Sequence, residues 1–484
     1  MHLSDPQVLA RVGTAVAEPG PTAAVPAHGD IETSRLPLAV VGGPRCARNW
    51  APTTKKVVYG RSLGGGAVVE GEWPVLPVGD PAGFGPESSD GGQTEYTRSG
   101  MREEPTSHGQ TSYGQPGEAG TAQPTVAPVV VLSGSLGSGH DAAAQAVTAA
   151  LPGRESTTLD CMGLLGRGAG RVGEAVFRRV VAVPPVYDGL YFGALRPGGR
   201  LAEAMDVAAR SRLLPAVSAR LPDRPALLVA VFATGASTAA AVRREGAAAA
   251  AVVVCTDVSA HRLWVHPGID AYAVTSQAGV ASVRRHDPHA RVQILPAPIR
   301  PQVWQAPTRP VARAALQLDE RPCVLLTTGG WGLAPVVEAA VALADRGVQV
   351  LAVAGRNPRL YRALCDAAHR QPGLHPLGWT NTMPTCMAAA DLVIAPVGAS
   401  CHEARALGRR LLVLDTMAGH GRDSVQQQLA WGAWVSGPGA AQLVPAALGA
   451  LAEGTDPPPA QRPRDFPEAF TALLGSLPGA MAIR

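Results

Sequence analysis

Residues 378–424 read GWTNTMPTCMAAADLVIAPVGASCHEARALGRRLLVLDTMAGHGRDS. Two apolar runs stand out in this stretch, 391–396 (DLVIAP) and 411–415 (LLVLD). Short unbroken runs of this kind are the pattern of strands covered on both faces of a parallel sheet. Between them the small residues Val397, Gly398, Ala399 and Ser400 predict a turn, and a short helix follows. Small residues at a helix start let backbone N–H groups approach an anion. Glu403 lies in that helix and has two available roles. It can accept from both hydroxyls of a ribose, or it can complement the positive end of the helix. Strand, turn, helix and strand make up an α/β unit, and the rest of the chain repeats it.

The first firm strand is 126–132 (VAPVVVL), which runs through Ser133-Gly134-Ser135-Leu136-Gly137-Ser138-Gly139-His140 into an alanine-rich helix over 141–151. The spacing is not G-x-G-x-x-G, and His140-Asp141 stands where a P-loop requires Lys-Ser or Lys-Thr, so both fingerprints are excluded. What remains is a glycine-rich loop at a helix start, suited to an anion. His140 at its end is either structural or functional. Further strands are expected at 226–233 and 250–256, the second ending at Asp257; ligands bind at the carboxyl ends of parallel strands. The proline-rich run 295–303 (LPAPIRPQV) stiffens a crossing and places a domain boundary near Pro301. Beyond it, 322–328 is a strand leading to Gly329-Gly330-Trp331-Gly332 and a helix, again suited to a diphosphate. The strand 349–354 ends at Gly355-Arg356-Asn357, where Arg356 is either a bidentate phosphate ligand or an ordinary surface arginine.

Residues 154–224 are less regular and partly helical, with eleven arginines against seven acidic residues, an excess that favours an anionic partner surface. Within them, 180–195 (VVAVPPVYDGLYFGAL) gathers Tyr187, Tyr191 and Phe192 in a chain otherwise poor in aromatics. The segment is read either as a surface that docks on an anionic bilayer or as a buried helix pair with a solvated basic face.

Several motifs resemble those of the lipid-directed glycosyltransferases: monogalactosyldiacylglycerol synthase, the processive diacylglycerol glucosyltransferases and the transferase that makes lipid II. They are GW-x3-MP-x2-M-x-A-A-D-L-V-I with S-x2-EA-x-A-L-G after it, Gly355-Arg356-Asn357, the Gly-His loop end, Tyr-Asp-x-Leu-Tyr, and 256–276 (TDVSAHRLWVHPGIDAYAVTS). The resemblance spans roughly residues 126–437. It implies the α/β GT-B architecture, two Rossmann-like lobes facing a cleft. The expected division is a disordered extension over 1–124, an acceptor lobe over 125–300, a donor lobe over 301–440 and a tail with short helices over 441–484. It implies a metal-independent, inverting transfer of a hexose from a UDP-sugar co-substrate to diacylglycerol or a related lipid, with no cofactor. Asp257 or His140 would be the base. The donor would meet Gly329, Gly330, Gly332, Arg356, Asn357, Trp379, Met383, Gly398, Ser400, Glu403 and His420. Tyr187, Tyr191, Phe192, His261, Trp264 and His266 would serve the acceptor or membrane. One departure stands out: the family's Pro-Gly-Gln-Glu type run is here Gly419-His420-Gly421, which removes a carboxylate that grips the donor sugar. A sugar-nucleotide epimerase or hydrolase, or a UDP-sugar binding protein without turnover, therefore stays open beside the transferase.

Composition bounds the partners. The net charge of +4 over 484 residues excludes a bulk nucleic-acid binder. Seven scattered cysteines without C-x-x-C argue against a disulfide framework and a zinc site, and fit a reducing cytoplasm. His261 and His266 lack a third metal ligand at sensible spacing. The first residues lack a basic region followed by an apolar core, and no apolar run approaches the roughly 20 residues of a transmembrane helix. Peripheral association with the inner face of the cell membrane is the expectation. The first 124 residues read as disordered or as the product of a misassigned start.

Overall fold

The computed structural model describes residues 126–477, Leu333 excepted; the extension expected over 1–124 lies outside the described residues. The chain forms two six-stranded, wholly parallel sheets. The first contains β1 (Val129–Ser133), β2 (Ser156–Asp160), β3 (Ala226–Ala230), β4 (Ala248–Val254), β5 (Ala271–Val274) and β6 (Val292–Ile294), in the order β2-β1-β3-β4-β5-β6. The second contains β7 (Cys323–Thr327), β8 (Gln349–Val353), β9 (Leu374–Leu377), β10 (Leu392–Pro396), β11 (Arg410–Leu414) and β12 (Trp434–Ser436), in the order β12-β11-β10-β7-β8-β9. Two Rossmann-like lobes of the GT-B kind are therefore present.

Successive strand residues divide between two cores, as a period of two requires. Val130 and Leu132 of β1 enter one cluster with Leu228 and Val253, while Val129 and Val131 enter another with Val229 and Val252. Both sheet faces are thus covered, which is why the strands read as apolar runs without alternation. Close helix packing requires small residues. A Cβ on Gly235, in the helix Ala233–Arg244, would lie 2.9 Å from the Leu132 Cβ.

Strand order determines where a ligand can sit. In the first sheet the chain runs from β1 outward to β2, then returns to β3 on the other side of β1. In the second it runs outward from β7 to β9, then returns to β10. The two reversals lie between β1 and β3 and between β7 and β10, and the crevice beyond the carboxyl ends of such a strand pair is the binding position of an open α/β sheet.

Residues 154–224, read as less regular and partly helical, are helical over most of their length, the longest helices being Arg167–Val181 and Arg200–Ser218, and also contain β2. Residues 441–477, expected as a tail with short helices, do form helices, but their apolar faces belong to the two cores. Leu443, Val444, Ala447 and Ala450 of the helix Ala440–Ala452 pack in the second lobe. Phe466, Phe470, Leu473 and Leu474 of the helix Asp465–Gly475 pack against Val129 and Val131 of the first. The chain therefore crosses between lobes twice. At the second crossing Arg309 and Arg409 hold Asp456, and Gln461 Nε2 donates to the Ala297 carbonyl at 2.9 Å.

Candidate active site

His140 stands at the first reversal. It opens the helix Gly139–Ala149 after β1, and its Nδ1 lies 2.8 Å from the carbonyl of Val231, just past β3. A carbonyl only accepts, so Nδ1 carries the proton and Nε2 keeps a free lone pair. Thr256 Oγ1, beyond β4, is 3.2 Å from the same Nδ1. Burial pulls the imidazole pKa down; Asp257, the Val231 carbonyl and Asp141 oppose this, and the result stays below 6.5. The loop before His140 is tied in place: Ser135 N–H donates to Asp160 Oδ1 at 3.0 Å, and Ser133 Oγ donates to Asp141 Oδ1 at 3.2 Å. Gly134 must be glycine, since a Cβ would sit 2.5 Å from the Phe232 ring.

Asp257 follows β4, and the motif after it folds back to hold it. Trp264 Nε1–H donates to Asp257 Oδ2 at 2.9 Å, and His261 Nε2 lies 3.6 Å from the same oxygen. Burial alone would raise the Asp257 pKa, but His420, His261, the indole N–H and His140 together hold it below its ordinary value. His266 turns inward: its Nε2 is 2.9 Å from the Leu263 carbonyl, and its N–H donates to Tyr272 Oη at 2.9 Å. His261, Trp264 and His266, expected to face an acceptor or membrane, are all buried: Trp264 and His261 lie against Asp257, while His266 is tied to Leu263 and Tyr272. Among the described residues, no group of three His, Cys, Asp or Glu is placed to hold a metal.

At the second reversal, Gly329 and Gly332 take φ of 73° and 62°, the left-handed region that glycine adopts without strain. Gly355 packs so closely that a Cβ would lie 2.5 Å from the Gly329 carbonyl oxygen. Arg356 N–H donates to the Gly330 carbonyl at 3.0 Å, and Asn357 Nδ2 to the Gly332 carbonyl at 2.8 Å. Asn357 Oδ1 also caps the helix Pro358–Ala368, so this side chain supports the loop. The Arg356 guanidinium lies 3.9 Å from the centre of the Trp379 ring, which is 46% exposed. Met383 begins the helix Met383–Ala389. Gly398, φ 139°, precedes the helix Ala399–Ala406, which carries Ser400 and Glu403. Glu403 is fully buried, and its two oxygens accept from Arg300 Nε and Nη2 at 2.6 and 2.7 Å. Neither role expected for Glu403 foresaw this partner.

The two reversals face one another. A Cβ on Gly330 would lie 3.8 Å from the backbone N and the Oγ of Ser138 in the first lobe's loop. Tyr187 Oη is 2.6 Å from His420 Nδ1 across the cleft. Asp188 accepts from Gly419 N–H at 2.7 Å and from Arg422 Nε and Nη2 at 3.0 and 2.5 Å. Arg196 Nη1 is 3.5 Å from Asp423. Tyr187 and Asp188 of the Tyr-Asp-x-Leu-Tyr run therefore grip the segment from Gly419 to Arg422.

The aromatic cluster is corrected as a surface. Tyr187 and Tyr191 are 2% and 0% exposed, because they fill the junction of the lobes. Only Phe192, 38% exposed, reaches solvent. The exposed apolar residues nearby are Val172 and Val176 on the helix Arg167–Val181, Val183 and Val186 beside it, and Leu201 and Met205 on Arg200–Ser218. Sequence reasoning passed over Arg300, Asp188, Arg422 and Trp331. Their partners are distant in the chain, and only the Tyr-Asp run carried a local signal.

No family model matches the chain. It is 30% identical over 181 residues to a probable chloroplastic monogalactosyldiacylglycerol synthase of Glycine max, covering 34% of each chain. It is 27% identical over 177 residues to a processive diacylglycerol beta-glucosyltransferase of Bacillus pumilus (strain SAFR-032), covering 35% of this chain and 46% of that one. The chain thus spans between a third and a half of the length of these curated relatives. Among solved structures, a putative UDP-N-acetylglucosamine 2-epimerase from Listeria monocytogenes aligns with a TM-score of 0.47 at 14% identity, over 72% of this chain and 96% of that one.

Proposed function

We propose that the protein is a glycosyltransferase that moves a hexose from a UDP-sugar to diacylglycerol or a related lipid at the inner face of the cell membrane. The observation that carries the reading is the approach of two glycine-rich loops, one from each reversal, with His140 and Asp257 beside the junction. Similarity to relatives named for lipid glycosylation supports the substrate class.

In this reading the acceptor hydroxyl attacks the anomeric carbon from the face opposite the diphosphate. A new C–O bond forms as the bond to the leaving oxygen breaks, so the configuration inverts. His140 Nε2, with its lone pair free, takes the acceptor proton, and Asp257 stabilises the imidazolium. Asp257 is the weaker base, because Trp264 and His261 already hold its carboxylate. Charge that gathers on UDP meets the amides of the 329–332 loop and the Arg356 guanidinium, a provision that requires no metal ion. The uracil would lie along Trp379 to Met383, and the sugar near His420. Val172, Val176, Val186 and Phe192, with the arginines around them, form the surface that meets anionic lipid. Among the described residues, no helix is long and apolar enough to cross a membrane.

A second reading, binding of a UDP-sugar without transfer, is favoured by Gly421, which stands where the resemblance expects a carboxylate that grips the donor sugar. The test is UDP release by the full chain with UDP-glucose and UDP-galactose separately, with and without diacylglycerol in anionic vesicles, in EDTA. Lipid-dependent release that survives EDTA supports the transferase. Release without lipid indicates a hydrolase or epimerase, and UDP binding without any release indicates the second reading.

A further inference from the structure

Three of the four residues in the Gly329–Gly332 loop are glycine, and the fourth is Trp331. A loop that offers backbone amides to a diphosphate gains nothing there from a bulky ring. The ring instead crosses to the first lobe. It meets Phe177 edge-on at 6.1 Å between centroids, and the Arg178 guanidinium lies 5.4 Å from its centre. Both partners are on the helix Arg167–Val181. Phe177 in turn meets Tyr187 at 5.7 Å, and Tyr187 holds His420. One helix of the first lobe is therefore tied, through adjacent rings, to two walls of the second lobe's crevice. Its other face is outward, with Val172 63% exposed and Val176, one turn on, also exposed.

We propose that Trp331 is a positioning residue that couples seating of the Arg167–Val181 helix on an anionic bilayer to capture of the nucleoside diphosphate. The inference rests on the transferase reading and deepens it with a regulatory contact. A helix held against a bilayer by Val172 and Val176 presents Phe177 and Arg178 in fixed positions. These hold Trp331, and Trp331 fixes the loop whose amides receive the diphosphate. Ordering the loop beforehand removes part of the cost of binding. Coupling of this kind is reciprocal, so UDP must tighten vesicle binding by the same factor by which vesicles tighten UDP binding.

The test is calorimetric UDP affinity of the full chain, alone, with phosphatidylcholine vesicles and with phosphatidylglycerol–phosphatidylcholine vesicles, beside vesicle co-sedimentation with and without UDP. For the wild type, anionic vesicles tighten UDP binding by roughly two- to tenfold, the scale of an aromatic edge contact. Trp331→Ala abolishes that factor while co-sedimentation without UDP is unchanged, Trp331→Phe restores most of it, and Phe177→Ala loses it from the other side. A wild-type affinity indifferent to anionic vesicles, or a Trp331→Ala variant that keeps the factor, overturns the proposal; if Trp331→Ala does not fold, Phe177→Ala decides. A wild type that couples the two bindings yet transfers no sugar refutes the transferase and leaves the coupling standing.

Discussion

Tyr187 Oη and His420 Nδ1 lie 2.6 Å apart, one on each side of the cleft. Burial and the nearby Asp257 charge push the phenol pKa far above its ordinary value, so Tyr187 stays protonated. Its O–H donates to Nδ1, which leaves Nε2 as the N–H of the His420 ring. The second lobe thereby presents an N–H donor at the position where the resemblance expects a glutamine. Tyr187→Phe leaves Nδ1 unpaired at a cost of about 0.5–1.5 kcal/mol. We expect kcat/KM for the UDP-sugar to fall by up to about tenfold, with UDP affinity unchanged because the diphosphate is held at the other wall. Steady-state kinetics beside UDP calorimetry check this; an equal loss in both would place Tyr187 at the diphosphate.

The Asp188 carboxylate sits at the amino terminus of the helix His420–Ala430 and pairs with Arg422, so one side chain serves as cap and inter-lobe tie. Arg422, then the Gly419 amide, lower the Asp188 pKa. The tie is present above pH 3.8 and is lost as pH falls through the lower folded value. The pair is exposed to solvent, so its contribution to stability is below about 1 kcal/mol and salt screens it. Its effect should be on lobe closure. Asp188→Lys is expected to enlarge the radius of gyration in small-angle scattering and to raise KM for the UDP-sugar, with little change in Tm. An unchanged radius would show that the lobes are held by the aromatic junction alone.

The strands and loops of both reversals were legible in the sequence because burial on both faces imposes apolar runs, and tight turns impose glycine. His140 and Asp257 were legible as strand-end residues, and both stand where the topology reverses or next to it. What escaped was everything decided by distant partners. Tyr187 and Tyr191 read as an amphipathic surface because they lie in an apolar, aromatic run flanked by arginines. Nothing local says that Phe177, His420 and Ala418 cover them. Glu403 read as open because Arg300, which fills it, stands 103 residues away in the proline-rich crossing. The helix Asp465–Gly475 read as tail because its apolar face is completed by β1, at the opposite end of the described chain.

Glu403 and Arg300 form a two-point pair with the carboxylate wholly buried. Removing one partner of such a pair strands a charge, which costs about 3–5 kcal/mol. Arg300→Ala should therefore be strongly destabilised in urea. Arg300→Met with Glu403→Leu should recover most of that loss. If Glu403 also meets the ribose, the double variant loses UDP affinity although it is stable again. If the pair is purely structural, UDP binds the double variant as it binds the wild type. Urea melts and calorimetry on the same three proteins separate the two roles.

Acid should act on this protein in two distinguishable ways. His140 has a pKa below 6.5, lowered first by burial. As the base it must be unprotonated, so kcat/KM should rise with pH to a plateau, with its midpoint below 6.5. His140→Ala removes that limb together with most of the activity. His261 is buried neutral beside Asp257, and burial pulls its pKa to about 4. Below 6.5 the unfolded chain binds the proton more readily than the folded one, so stability is full above 6.5 and declines as pH falls towards about 4. The interval corresponds to about 3 kcal/mol. His261→Asn should flatten this loss in thermal melts while leaving the kinetic limb where His140 puts it. A kinetic midpoint that moves with His261→Asn would instead show that the two histidines titrate as one unit through Asp257.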